Sequence, residues 1–241
     1  VAVRCDCDAA ERPARLLARA RIPRGYQHCD FENFDLDIYD QEPQAGKWNQ
    51  SLKQARLVVE AFAREFSPAT EHGILLMGPC GVGKTHLAAA ALRAVVLRGF
   101  TGLFYDYREL LKQIQSSYDP VSQTTELAVL EPVLTAELLL LDDLGASKPS
   151  EWARETLGHI LNTRYNERRP TLVTTNYLDR EMREGKPAVL PSGESAARAE
   201  ESLADRVGQR IRSRLYEMCR TVEIVAPDYR REIRQAGRFR A

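Results

Sequence analysis

No apolar run in the 241 residues approaches the ~20 that a membrane-spanning helix needs, and the N-terminus carries no secretory signal. No membrane is therefore expected among the partners. Net charge is missing too, because 34 basic and 34 acidic side chains cancel. Bulk electrostatics give no argument for nucleic acid, so any such contact must come from a local patch. Five cysteines, an odd count at irregular spacing, argue against a disulfide framework and fit a reducing cytoplasm. No internal repeat is visible. The first residue is Val1 rather than Met, which fits a piece of a longer chain.

What is present is a globular composition, 44% hydrophobic and 28% charged, at a length that allows one large α/β domain with a small appendage. The chain is organised around Gly73–Thr85. An apolar run, Ile74 to Met77, has the length of a buried strand. Gly78-x-x-x-x-Gly83-Lys84-Thr85 follows, and then an alanine- and leucine-rich stretch of good helix formers. Strand, glycine turn and helix together make a P-loop. Glycines let successive N–H groups converge on phosphate oxygens, and the helix N-terminus points its dipole at the same anion. The expected nucleotide-binding set is Gly78, Pro79, Cys80, Gly81, Val82, Gly83, Lys84, Thr85 and His86. Lys84 would reach the β and γ phosphates of ATP, and the Thr85 hydroxyl would ligate Mg²⁺. As a loop residue, Lys84 is expected to be exposed and to pack against little. The competing reading is a glycine-rich turn that binds nothing.

Leu138–Leu141 followed by Asp142 and Asp143 is the Walker B pattern, a buried parallel strand ending in two acids. Ligands bind at the carboxyl ends of such strands. Asp142 would hold Mg²⁺ and Asp143 would deprotonate the attacking water; otherwise the pair is an acidic turn. The strand Thr171–Asn176 ends in an amide that suits the nucleophilic water or the γ-phosphate, unless it is a simple turn residue. Helices are expected over Asn49–Phe66, from near Gly83 to Arg98, over Arg108–Ser117, Thr124–Leu134, Glu151–Glu167 with Ser150 as its cap, and Leu203–Met218. Further strands are expected at Thr101–Tyr105 and Thr221–Val225, and a mobile loop over 185–199. In one helix from Leu203 to Met218, Arg206, Arg210 and Arg214 would share a basic face.

Residues 1–48 read as an N-terminal segment, and 49–241 as the ATPase domain. Cys5-x-Cys7 is either the end of a truncated zinc ribbon or two unpaired surface cysteines. Ala10 to Arg21 reads as a short basic helix. Tyr26, Phe31 and Phe34 are expected to dock on the main domain.

Gly78–Lys84–Thr85, Leu138–Asp143, Thr174–Thr175–Asn176 and Ser213–Arg214–Leu215, in this order and spacing, resemble the AAA+ ATPases. Leu141–Ala146, Asn162–Asn166 and Ile211–Leu215 look like the helicase loaders of the DnaC and DnaI type, with IstB-type transposition helpers as close relatives. The resemblance runs from about Ile22 to Arg231. It implies an α/β P-loop fold, a parallel sheet flanked by helices, with little or no C-terminal lid. It makes Asn176 the sensor 1 residue, and Arg214 an arginine finger that acts in trans in a self-oligomer. It also makes Tyr107 to Thr135 a helical module that meets single-stranded DNA, with Tyr107, Arg108 and Lys112 as contacts. Arg230 is a weak candidate for sensor 2.

The resemblance implies an ATPase that loads a DnaB-type replicative helicase in DNA replication. The alternatives are an IstB-like transposition helper, a nucleotide-gated adaptor that hardly hydrolyses ATP, and a small-molecule P-loop kinase, which would leave the Arg214 motif unexplained.

Overall fold

Five short runs become five strands: β1 Gly73–Met77, β2 Gly102–Asp106, β3 Leu138–Asp142, β4 Thr171–Thr175 and β5 Cys219–Glu223. In the computed structural model they form one sheet in the order β2-β3-β4-β1-β5, with every pair parallel. The structure describes residues 6–37, 43–67, 69–119, 121–179 and 201–230, and only the backbone of 6–11. A parallel sheet is covered on both faces, so its strands need no polar side. Leu138, Leu139, Leu140 and Leu141 are all fully buried, and alternate residues feed opposite layers. Ile74, Leu76, Leu140 and Leu172 pack into one, and Leu75, Met77, Leu141 and Val173 into the other.

The first layer holds α1 Asp6–Arg19, α2 Ala45–Glu65 and α3 Lys84–Leu97. Ala20, Ile22, Phe31 and Phe34 are buried in the same cluster, so the aromatic stretch docks on the main domain as its composition implies. The second layer holds α4 Tyr107–Ser116, α5 Glu126–Thr135, α6 Glu151–Asn166, α7 Leu203–Val207 and α8 Gln209–Met218. Ser150 caps α6 as expected, its side chain accepting from the Ala153 N–H. Asp106 and Thr125 do the same for α4 and α5. Among the described residues no helix is long and apolar enough to cross a membrane.

Three expectations need correction. The helix expected over Leu203–Met218 is two, broken at Gly208, whose φ of 89° and ψ of 154° no helix contains. Arg206 therefore lies on α7, and Arg210 and Arg214 on α8, so no single helix carries all three. The last strand starts at Cys219, two residues early, because Gly73 at the start of β1 pairs with it. Tyr107 is 5% exposed and packs in the core, so it cannot offer its ring to a base; burial pushes its phenol up to about 12. Cys5, the Cys7 side chain and the 185–199 loop lie outside the described residues.

Candidate functional site

The carboxyl ends of β1, β3 and β4 lie side by side, and each releases one polar group into the same space. After β1 the chain turns through Gly78, Gly81 and Gly83, all at positive φ, and enters α3 at Lys84. None of these glycines has room for a side chain, and a Cβ on Gly78 would lie 2.4 Å from the Ile224 carbonyl oxygen. A Cβ on Gly81 would lie 1.9 Å from an Asp228 carboxylate oxygen, and one on Gly83 2.5 Å from the Phe34 ring. Segments from opposite ends of the chain thus close over the loop. Tyr229 donates its N–H to the Gly81 carbonyl at 3.2 Å, and its hydroxyl reaches Asp35 at 2.7 Å.

Lys84 is not the exposed loop lysine its position in the sequence suggests. It is 6% exposed, and Nζ donates to the carbonyls of Gly78 at 2.8 Å and Pro79 at 2.6 Å and to Asn176 Oδ1 at 2.7 Å. Burial pushes its ammonium down from 10.5 to about 8. The carboxylates of Asp143 and Asp142 oppose that push, and the charge of Arg230 adds to it.

Thr85 donates its hydroxyl to Asp142 Oδ1 at 2.9 Å, and Thr174 donates to the same oxygen at 2.6 Å. Burial raises the Asp142 carboxyl, while these two hydroxyls pull it back. A hydroxyl and a carboxylate this close supply the hard oxygen ligands that Mg²⁺ takes. Asp143 sits at φ 56°, the left-handed region that Asp enters more readily than most residues. Its N–H donates to Thr174 Oγ1 at 2.9 Å, which fixes the turn. Its carboxylate accepts from Asn176 Nδ2 at 2.7 Å and pairs with Arg108 Nη2 at 3.3 Å. Lys84, Asn176, Asp143 and Arg108 thus form one continuous polar chain.

The remaining expected residues are placed less directly. Pro79 and Cys80 are exposed on the loop, and Val82 turns into the core. The His86 ring is held by the N-terminal segment, with Nε2 2.9 Å from the Asp30 carbonyl and the ring edge-on to Phe34; burial lowers its pKa. Only its backbone points to the loop's task. Arg214 is not brought to this site. Its guanidinium lies 3.9 Å from the Tyr165 ring centroid and bonds Asn162 and Glu217. It borders a cleft of ≈ 900 Å³ between α6 and α7–α8, with Arg154, His159 and Arg210. Thr174, which the sequence names only within the Thr174–Thr175–Asn176 motif and with no role, touches both acids.

A family model described as IstB-like ATP binding protein matches residues 14–236. Over 173 residues the chain is 28% identical to the replicative helicase loader DnaC of Escherichia coli (strain K12), a match spanning 72% of this chain and 65% of that protein. The chain thus covers just under two thirds of such relatives. Among solved structures, one titled as the DnaC helicase loader aligns with a TM-score of 0.63 at 30% identity, over 84% of this chain and 100% of that one. A DnaI structure aligns with the same TM-score at 24% identity over 89% and 98%, which speaks for the fold. The chain belongs to the IstB-like ATP-binding proteins, in the AAA+ branch that holds the DnaC and DnaI types.

Proposed function

We propose that the chain binds Mg²⁺-ATP, hydrolyses it, and acts as a loader of a DnaB-type replicative helicase together with single-stranded DNA. The observation that carries the reading is the convergence of Lys84, the Thr85–Asp142 pair and the Asp143–Asn176 pair at three adjacent strand ends. Lys84 exchanges its carbonyl and amide partners for the β and γ phosphates. Thr85 and Asp142 would hold Mg²⁺, which would screen the phosphate charge. Asp143 accepts the proton of the attacking water, and Asn176, already bonded to Asp143 and Lys84, orients that water. Arg214 lies away from this site in its own chain, which suits a finger offered to a neighbour's γ-phosphate. Arg108 and Lys112, both exposed on α4, are the proposed contacts to single-stranded DNA.

The test has two arms. ATP turnover is measured with and without single-stranded DNA at rising salt, and the protein is used to capture the host's DnaB-type helicase. We expect stimulation that fades with salt, and capture. Capture without turnover leaves a nucleotide-gated adaptor; failure of both arms refutes the loader. The match to the IstB-like family favours a second reading, a transposition helper that marks target DNA. It predicts capture of a transposase in place of the helicase.

A further inference from the structure

The cleft between α6 and α8 contains a side chain that is held more tightly than a surface arginine needs to be. The Arg214 side chain is 29% exposed, yet three groups fix its guanidinium. Asn162 Oδ1 accepts from Nε at 3.1 Å, and Glu217 Oε2 accepts from Nη1 at 2.6 Å. The Tyr165 ring lies against the flat face, 3.9 Å from centroid to guanidinium carbon. Tyr165 also donates its hydroxyl to Glu217 Oε1, which closes the ring of contacts. Two hydrogen bonds and one ring contact hold the guanidinium.

The parts come from two facing helical stripes. Asn162 and Tyr165 are three residues apart on α6, and Arg214 and Glu217 three apart on α8, the spacing that puts side chains on one helix face. The α6 stripe is itself anchored. Arg164, fully buried, donates to the carbonyls of Val133, Ala136 and Pro170 and to Thr171 Oγ1 at 2.7–2.9 Å. The helix that offers the ring is therefore fixed to α5 and β4.

We propose that Asn162, Tyr165 and Glu217 form a seat that pre-orients Arg214, with Tyr165 as the positioning residue, for the γ-phosphate bound by a second copy of this chain. The inference rests on the reading of Arg214 as a finger acting in trans. An arginine that must be ordered at the moment of reaction pays its rotamer entropy there; a seated one has paid already. Loss of the ring costs about 10- to 30-fold in turnover by that argument, with little change in the KM for ATP.

Mixing experiments separate this from a merely structural role. Lys84→Ala keeps the finger and loses the P-loop cation; Arg214→Ala keeps the P-loop and loses the finger. Their mixture is the baseline. Tyr165→Leu is then added to one chain or the other, with thermal unfolding followed on each variant. In the Lys84→Ala chain, which supplies the finger, it should lower the mixture's turnover about 10- to 30-fold. In the Arg214→Ala chain, which has no arginine to seat, it should leave turnover at the baseline. Tyr165→Phe in the first position keeps the ring and should retain most activity. Equal effects in the two chains overturn the seat while leaving the finger intact. A co-assembled baseline mixture with no turnover, beside an active wild type, removes the trans finger and the seat with it.

Discussion

The ammonium of Lys84 titrates near working pH, and ATP affinity should report it. With an apo pKa of about 8, roughly nine tenths of Lys84 carries its proton at pH 7 and roughly one tenth at pH 9. The phosphates prefer the charged form, so binding raises the pKa. Affinity should be flat below about pH 8, fall about tenfold per unit above it, and level off past the bound-state value. A lysine at its ordinary 10.5 would leave affinity unchanged to about pH 9.5. The same burial shapes apo stability, with the sign worked through. The folded pKa lies below the unfolded one, so the unfolded chain binds more protons between about 8 and 10.5. Stability therefore rises with pH across that window, and the gap between the two values is worth about 3 kcal/mol at neutral pH. The three hydrogen bonds of Nζ return about 1 kcal/mol each. Lys84→Met removes the burial cost and the bonds together. It should melt within about 4 °C of the parent at pH 7, lack the rise between pH 8 and 10.5, and lose ATP binding. Calorimetric titration with ATP from pH 7 to 9.5, beside thermal unfolding of both proteins, reads all of this. A flat affinity profile in the parent, or the same slope in stability in the variant, would refute the reasoning.

Asp143→Asn should bind Mg²⁺-ATP with near-native affinity and turn it over at least about a hundredfold more slowly, since an amide accepts no proton; equilibrium binding beside a phosphate-release assay checks both. Arg164→Leu leaves the carbonyls of Val133, Ala136 and Pro170 without their donor inside the protein. It should cost about 3 kcal/mol, a drop in melting temperature of about 6–12 °C, read by calorimetry. Gly81→Ala meets the Asp228 carboxylate and should weaken ATP binding with little loss of helical circular dichroism.

Local chemistry was legible in the sequence; contacts between distant segments were not. The P-loop, the two acids and the strand-end Asn are each written within a dozen residues, as strand, turn and helix signals. The break at Gly208 was hidden by its own surroundings. Leu203, Val207, Ile211 and Leu215 keep a four-residue spacing straight through it, because both helices bury against the same core. Periodicity reports which side faces inward, and that side does not change at the break. Lys84 is buried with its ammonium on Asn176, 92 positions away in the chain, and no local signal announces that contact. Tyr107 heads an amphipathic helix, and only the packing of α4 decides that its ring faces in. Two of the partners of Arg214, Asn162 and Tyr165, lie on α6, some fifty residues earlier, and no spacing rule links them to it.

The closure over Gly81 also sets an order of events during synthesis. Tyr229 reaches Asp35 across 194 positions, and it caps a loop made about 150 residues before it. At roughly 5–20 residues per second, that interval is about 7–30 s on the ribosome. Throughout it the nascent chain carries a complete Walker A sequence and helix without the segment that roofs it. The loop gains its contact with Tyr229 only when the last strand and the turn beyond it have left the exit tunnel.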